Sequence, residues 1–334
     1  MLSVGLTLTV LSGVCNGLFT SPMRMEKRWK WENIWVIFII TSCLVMPISV
    51  LWTTAPGFAQ ILSAAPTPAV TAALVFGFIW GFGAICTGRS VQYLGVSVAN
   101  SLLLGVSSAL GSLVPLIMTH PRVSPLGLGL LFAGILTFLA GVALCGSAGR
   151  MRDQELSGTP GQAPIAGYLY AMAAGLISAI FNIGYTLALD IAATGETVGL
   201  GRAAGTNCVW LLMLGAGAIP NVAYCAYLLR RNGTGELMSG PGSGASWGRS
   251  VGMGLLWGGS IFLYGAATPR LGDLGPSVGW PLSLAVALLV ANFMGVMLNE
   301  WRGATPRARA RMYQGIWTLL AAIVLCALST RTGS

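Results

Sequence analysis

Long apolar segments, separated by short polar connections, run from one end of the chain to the other. A helix that crosses the hydrocarbon core of a bilayer needs about 20 mostly apolar residues. Ten segments meet this requirement, near Leu2 to Ser21, Ile34 to Trp52, Ala69 to Cys86, Val96 to Met118, Leu126 to Cys145, Ile165 to Leu189, Thr206 to Leu229, Val251 to Ala267, Pro281 to Leu298 and Gln314 to Leu328. The pattern predicts an all-α integral membrane protein with ten transmembrane helices.

The composition supports this prediction. Of 334 residues, 55% are hydrophobic and 8% are charged, whereas soluble domains carry roughly 25% charged residues. A chain with so few charges cannot cover itself with a water-facing surface, so its solvent is membrane lipid. The first apolar segment has neither a basic start nor a small-residue cleavage site, and it is interpreted as helix one and not as a signal peptide.

The basic residues are distributed unevenly among the connections. The odd-numbered connections hold fourteen of the eighteen Lys and Arg residues, and the even-numbered connections and the C-terminal tail hold four. Because basic residues stay on the cytoplasmic side, the odd connections are expected to be cytoplasmic and both termini extracytoplasmic. The same rule explains the net charge of +9 without a nucleic-acid partner.

Several functional classes lack their characteristic residues. The chain has one histidine, His120, and seven cysteines without paired spacing, so no metal site or cofactor is expected. No phosphate-binding loop is present, which disfavours an ATP-driven pump. A membrane-embedded enzyme would need converging acids or nucleophiles at depth. None is apparent, so a transporter is the leading hypothesis and an enzyme the weaker alternative.

The two halves of the chain contain three matching pieces in the same order. Residues 13–19 match residues 175–181, residues 77–81 match residues 254–258, and residues 94–98 match residues 274–278, with offsets of 162, 177 and 180. Each half holds five helices, an odd number, so the second half enters the membrane with reversed topology. The sequence therefore predicts two inverted five-helix repeats, residues 1–148 and 163–330, joined by a cytoplasmic linker, residues 149–162.

Several motifs resemble a known family. The segment WKWENIW at residues 29–35, preceded by Ser21-Pro22 and basic residues, is similar to the L-rhamnose/proton symporter family of the drug/metabolite transporter superfamily. Further similar pieces are residues 76–83, residues 93–97, Trp280, and Asn299-Glu300-Trp301. The resemblance implies a central cavity lined by helices one, three, four, six, eight and nine. It also implies uptake of a small sugar with a proton across a bacterial cytoplasmic (inner) membrane. Another small metabolite, with sodium coupling or none, remains the alternative.

A sugar site needs amides or hydroxyls for the sugar's hydroxyl groups and aromatic planes for its apolar face. Polar side chains within membrane spans usually face protein or water. The substrate-binding candidates are Asn16, Phe19, Trp80, Asn100, Ser178, Asn182, Tyr185, Trp257, Ser260, Tyr264 and Trp280. For Asn16 and Asn182 an interhelical hydrogen bond is the alternative role, and for Trp80 and Trp257 it is packing beside glycines.

The coupling group is harder to identify. None of the nine carboxylates lies in the middle of a predicted span, and the candidates for proton coupling are Glu300 and Asp190 at helix ends. For Glu300 the alternative is an interfacial ion pair with Arg302. Proton coupling thus comes from the resemblance and not from the residues.

Two further expectations concern the periphery. The Gly/Ser-rich connection from Arg230 to Arg249 is expected to be a flexible tether. The tryptophans near predicted interfaces are expected to anchor the helices at the bilayer surface; they are Trp29, Trp31, Trp35, Trp52 and Trp301.

Overall fold

The computed structural model describes residues 2–94, 96–119, 124–157, 165–299 and 301–331, and every regular element within these ranges is a helix. Ten helical spans in the described ranges are long and apolar enough to cross a bilayer. In chain order they are α1 (Leu2–Met23), α2 (Trp31–Thr54), α3 (Thr67–Val91), α4 (Val98–Thr119), α5 (Pro125–Arg152), α6 (Ile165–Thr197), α7 (Arg202–Asn232), α8 (Gly244–Gly272), α9 (Gly275–Met297) and α10 (Pro306–Thr330). The predicted number and order of spans are confirmed.

Several spans are interrupted. The α3 span consists of helices Thr67–Trp80 and Gly83–Leu94, the α6 span of helices Ile165–Leu187 and Leu189–Thr197, and the α8 helix passes into a 3₁₀ segment, Thr268–Leu274. A short helix, Phe58–Ala64, connects α2 to α3. The regular helix of α5 continues to Ser157, so residues 149–157 of the expected linker are helical.

The α2 span contains a π-helical segment, Ile40–Val45, immediately before Met46 and Pro47. Proline has no backbone N–H, and its ring collides with the carbonyl four residues earlier, here that of Cys43. In a π-helical segment the hydrogen bonds join residues five apart instead of four, and this wider turn relieves the collision. Such π segments recur at functional positions.

The chain folds into two compact units, and each takes segments from both halves of the sequence. Unit 1 comprises Met1–Gly17, Gly83–Ile183 and Ala267–Ser334, which include most of α1 and α6 together with α4, α5, α9 and α10. Unit 2 comprises Leu18–Phe82 and Gly184–Ala266, which include α2, α7, most of α8 and the first part of α3.

In unit 1, glycines allow α5 and α10 to approach closely. A methyl group added at Gly141 would lie 2.8 Å from Leu319 side-chain atoms, and one added at Gly315 would lie 2.5 Å from Cys145 Sγ. Small residues at helix contacts are how helices associate in lipid, where the hydrophobic effect offers no driving force. The start of α10 is fixed by Glu155, whose carboxylate accepts hydrogen bonds from the Thr305 N–H and hydroxyl, at 3.1 and 2.8 Å.

In unit 2, the connection between α7 and α8 is ordered, and the prediction of a flexible tether is wrong. Residues 234–238 form a 3₁₀ helix. The indole of Trp29 donates to the Leu237 carbonyl at 3.0 Å, and the Asn33 amide donates to the Thr234 carbonyl at 2.8 Å. These bonds use the residues of the WKWENIW segment, so the motif that carries the family resemblance attaches this connection to the start of α2.

The tryptophans expected at the bilayer surface differ in exposure. Trp52 is 74% exposed, as a bilayer-facing side chain would be. Trp29 and Trp301, in contrast, are buried against protein. Trp301 stacks under the Arg152 guanidinium, 5.0 Å from the ring centroid.

Candidate substrate site

The substrate-binding candidates fall into two groups, one in each unit. Asn16, Asn100, Ser178, Asn182 and Trp280 belong to unit 1, and the other candidates, all but one aromatic, belong to unit 2. The group in unit 1 is polar and the group in unit 2 presents rings.

Three side chains of unit 1 form a serine–tryptophan cluster: Ser107 of α4, Ser178 of α6 and Trp280 of α9. The hydroxyl groups of Ser107 and Ser178 lie 2.8 Å apart. The Trp280 indole N–H is shared between the Ser107 carbonyl and hydroxyl oxygens, each at 3.2 Å. The cluster therefore joins three helices and satisfies its own polar groups.

Asn182 is fully buried and ties α6 to two other helices. Its side-chain nitrogen donates to the Gly111 carbonyl of α4 at 2.7 Å and to the Pro276 carbonyl of α9 at 3.2 Å. Residue 115, four positions after Gly111, is a proline, so the helical hydrogen bond that Gly111 would accept is missing. Asn182 supplies the donor that Pro115 cannot, which leaves its nitrogen no hydrogen for a ligand.

Asn16 and Asn100 differ from Asn182 in their environment. Asn16 is half-buried and Asn100 is exposed. Neither side-chain amide makes a hydrogen bond within the described part of the chain. Both amides thus keep their full capacity to bind hydroxyl groups.

In unit 2, four rings follow one another. Trp80 and Trp257 are stacked, with ring centroids 5.2 Å apart and planes 11° apart. Phe38 packs its edge on Trp257 at 5.8 Å, and Phe19 stacks on Phe38 at 5.7 Å. Trp80 and Trp257 are both half-buried, so the pair combines packing with accessible ring surface.

The remaining candidates of unit 2 lie in its core. Tyr185 stacks on Trp210 with centroids 4.5 Å apart, and Tyr264 contacts both rings. Ser260 is buried and donates to the Trp257 carbonyl at 2.6 Å. These buried side chains form an aromatic core within unit 2, and Ser260 is bonded to the backbone of Trp257.

The acidic candidates for proton coupling are Asp190 and Glu300. Asp190 is exposed in the first turn of helix Leu189–Thr197, and Glu300 lies outside the described residues. Two other acids are buried in unit 2. Glu32 accepts hydrogen bonds from Asn232 at 2.8 Å and from Thr234 at 2.9 Å.

The second buried acid is Glu26, whose side chain is 1% exposed and forms an ion pair with Arg249 at 2.9 Å. Burial alone would raise the pKa of Glu26. The Arg28 N–H, the Arg249 guanidinium and the Trp29 N–H, all bonded to the carboxylate, outweigh it and lower this pKa to about 2. Glu26 therefore stays ionised at physiological pH and acts as a structural anion.

Sequence reasoning overlooked three serines of α4. Ser107 completes the serine–tryptophan cluster, and the hydroxyls of Ser108 and Ser112 are buried without a hydrogen-bond partner in the described structure. The signal that was missed is the occurrence of three serines within six residues of an apolar span. No group of three or more potential metal ligands occurs among the described residues.

Known proteins resemble this chain over nearly its whole length. The family model described as "L-rhamnose-proton symport protein" matches residues 1–331. A Citrobacter koseri protein named L-rhamnose-proton symporter is 22% identical over 326 residues, 92% of each chain. A protein of the same name from Yersinia pestis (strain Pestoides F) is 25% identical over 322 residues, 91% of each chain.

A solved crystal structure shares the fold. It covers 99% of this chain and 96% of its own, with a TM-score of 0.61 and 17% sequence identity. The helical architecture is thus one found in a solved protein, and the family model spans nearly every residue. This multi-pass membrane protein therefore belongs to the family of L-rhamnose-proton symport proteins.

Proposed function

We propose that this protein takes up L-rhamnose, or a related 6-deoxyhexose, together with a proton across the cytoplasmic membrane of a bacterium. The observation that carries the proposal is the family match over residues 1–331, joined by relatives of the same name that align over nine-tenths of their length. Export or uptake of another metabolite, with sodium coupling or none, is the outcome that would replace it.

The chemistry of the candidates suits such a sugar. A 6-deoxyhexose presents several hydroxyl groups, a methyl group and an apolar ring face, and it carries no charge. Within unit 1, the unbonded amides of Asn16 and Asn100 match sugar hydroxyls. Within unit 2, the Trp80–Trp257 pair has the ring surface that suits an apolar sugar face. Neutral, hydrogen-bonding candidates of this kind favour a sugar over an ionic substrate.

An inverted repeat accounts for the packing of unit 1. A methyl group added at Gly13 of α1 would lie 2.5 Å from Val286 Cβ and 2.7 Å from the Ser283 carbonyl of α9. One added at Gly175 of α6 would lie 2.7 Å from Val106 Cβ and 2.9 Å from the Leu103 carbonyl of α4. The two glycines are 162 residues apart in the sequence. The residues that they face are 180 residues apart, both for the two valines and for the two carbonyl-bearing residues. These are the offsets of the sequence alignment.

Unit 2 repeats its packing in the same way. Gly77 and Gly81 of α3 contact the carbonyls of Met213 and Gly217 of α7, whereas Gly254 and Gly258 of α8 contact the carbonyls of Phe38 and Ser42 of α2. Each pair of glycines is four residues apart and faces two carbonyls four residues apart. Each unit also holds both members of a repeat pair: unit 1 holds most of α1 and of α6, and unit 2 holds α2 and α7. These equivalences support two inverted five-helix repeats and the alternating exposure of a midplane site.

The orientation follows from the charge bias. Both termini are extracytoplasmic, and the connection that carries Arg302, Arg307, Arg309 and Arg311 is cytoplasmic. A reporter domain fused to the C-terminus tests this orientation. Alkaline phosphatase is active only outside the cytoplasm, whereas green fluorescent protein is fluorescent in the cytoplasm and not after export in an unfolded state. A fluorescent, phosphatase-inactive C-terminus would contradict this orientation.

The coupling acid is proposed among the carboxylates at helix ends. Glu26 and Glu32 are held by hydrogen bonds in unit 2, and we keep as candidates Asp190 and Glu300, which the sequence places at helix ends. An acid that binds protons near neutral pH needs a raised pKa, and burial in one transport state would supply it. Asp190→Asn and Glu300→Gln are expected to separate counterflow, which continues, from accumulation driven by a pH gradient, which the coupling variant loses. Accumulation that persists in the double variant would exclude both acids.

The experiment that tests the substrate is a transport panel. Purified protein in proteoliposomes is given labelled L-rhamnose, and a panel of unlabelled competitors includes L-fucose, D-glucose, an amino acid and a nucleotide sugar. Competition by 6-deoxyhexoses, and not by the others, is expected, and omission of sodium should change nothing. Uptake that requires sodium, or competition by an amino acid alone, would replace the proposal with its alternative.

A further inference from the structure

The repeat gives the serine–tryptophan cluster of unit 1 a counterpart in the same unit. The 162-residue offset pairs Ser178 of α6 with Asn16 of α1. The 180-residue offset pairs Ser107 of α4 with Ala287 of α9, and Trp280 of α9 with Asn100 of α4. We call Asn16, Ala287 and Asn100 the counterpart subsite.

Helices α1 and α9, which carry Asn16 and Ala287, approach each other closely at the positions that the two offsets predict. Gly13 and Gly17 lie one on each side of Asn16, and methyl groups added there would lie 2.7 Å from the Ser283 carbonyl and 2.6 Å from the Ala287 carbonyl. The backbones of α1 and α9 therefore approach closely on both sides of Asn16. Since Ser178 faces Ser107 across the equivalent contact, the repeat predicts that Asn16 faces Ala287.

The two equivalent places differ in how their polar groups are satisfied. In the serine–tryptophan cluster the Ser107 hydroxyl bonds to the Ser178 hydroxyl, and the Trp280 indole N–H donates to the carbonyl and hydroxyl oxygens of Ser107. In the counterpart subsite Ala287 has no hydroxyl, and the shorter Asn100 replaces the indole. The Asn16 and Asn100 amides make no hydrogen bond within the described ranges.

We propose that the counterpart subsite binds hydroxyl groups of the sugar, with Asn16 and Asn100 as specificity-determining residues, and that the serine–tryptophan cluster is its closed, structural equivalent. Each amide offers donors and an acceptor, the complement of a sugar hydroxyl. Of two places related by the repeat, one is thus rigid and the other binds the sugar. This inference rests on the proposed function, because it assumes a hydroxyl-bearing substrate.

The first test pairs protein variants with sugar analogues. L-rhamnose and its monodeoxy derivatives are titrated into wild type, Asn16→Ala and Asn100→Ala, with binding followed by isothermal calorimetry. Each variant is expected to lose roughly tenfold in affinity for L-rhamnose, as one hydrogen bond lost from a site implies. The monodeoxy sugar that lacks the hydroxyl bound by that amide should bind wild type about tenfold more weakly and lose nothing further in the variant. Additive losses for every analogue would overturn the assignment.

A second test adds the group that closes the equivalent cluster. Ala287→Ser places a hydroxyl where Ser107 has one, so it should bond to Asn16 and compete with the sugar. We expect at least threefold weaker binding with an unchanged or higher melting temperature. Unchanged affinity in a folded Ala287→Ser protein would contradict the proposed orientation of Asn16.

The matched control is Asn292→Ala on α9. Asn292 is half-buried like Asn16, but its amide already donates to the Leu288 carbonyl at 2.8 Å, so wild-type affinity is expected. Equal losses in Asn292→Ala and Asn16→Ala would refute a localised subsite. Failure of the proposed function is a different result, because wild type itself would then bind no L-rhamnose.

Discussion

The most specific structural prediction concerns Asn182 of α6, which hydrogen-bonds to a carbonyl that a proline on α4 leaves without its helical donor. In α4, Pro115 cannot donate to the Gly111 carbonyl, and the Asn182 amide donates to it instead at 2.7 Å. Asn182→Ala would leave this buried carbonyl without a donor and would also remove the weaker bond to Pro276. A buried group left unsatisfied costs about 1–3 kcal/mol, and we expect a loss of about 2 kcal/mol in the free energy of unfolding.

The second variant of this prediction is Pro115→Ala, which restores an N–H four residues after Gly111. In that background the carbonyl has its own helical donor, so Asn182→Ala should cost only about 1 kcal/mol, the value of a typical interhelical bond in a membrane protein. The double-mutant cycle therefore predicts a coupling of about 1 kcal/mol between residues on different helices.

The assay is reversible unfolding in mixed micelles, followed by tryptophan fluorescence for wild type, both single variants and the double variant. Asn292→Ala is the control for an amide lost elsewhere. Costs of Asn182→Ala that are equal with and without Pro115 would show that the amide does not replace the missing helical donor, and the reasoning would be refuted.

Three further predictions concern packing, the aromatic stack and pH. Gly254→Ala should be about 1–3 kcal/mol less stable than Gly252→Ala, because its methyl group would lie 2.5 Å from Thr41 Cβ whereas the control methyl meets open space; equal melting temperatures would contradict the α2–α8 contact. Trp80→Ala and Trp257→Ala should abolish uptake in folded protein, with Phe restoring more activity than Ala, since stacking depends on ring area; normal transport in both Ala variants would assign the pair to packing. The pKa of Glu26 is lowered from 4.5 to about 2, so its stabilising contribution is complete above pH 4.5 and is lost as pH falls towards 2; the stability difference between wild type and Glu26→Gln should shrink over that interval, and a constant difference would argue against the ion pair.

The ten spans could be predicted from the sequence because bilayer thickness fixes the length of an apolar segment. The proposed repeat was suggested by matching glycines, because a close helix contact has no room for a larger residue. Gly13 and Gly175 match in the alignment, and a methyl group added at either would meet a valine and a carbonyl of a neighbouring helix.

Other features could not be predicted because they depend on partners distant in sequence. The α7–α8 connection has the composition of a flexible segment, yet it is ordered by contacts with residues about 200 positions earlier, such as Asn33 with Thr234. The role of Asn182 depends on Pro115 in α4, and no local pattern joins the two. Ser107 lacked any signal beyond its neighbouring serines, because its importance comes from Ser178 and Trp280.

Proton movement during sugar uptake distinguishes proton symport from every other mode of rhamnose transport. Protein is reconstituted into proteoliposomes in a weakly buffered, sodium-free medium, and external pH is recorded when L-rhamnose is added without any imposed gradient. We expect an immediate alkalinisation of the medium that saturates with L-rhamnose, is absent with D-glucose and disappears with a protonophore. Uptake of labelled L-rhamnose without any change in external pH would contradict proton symport.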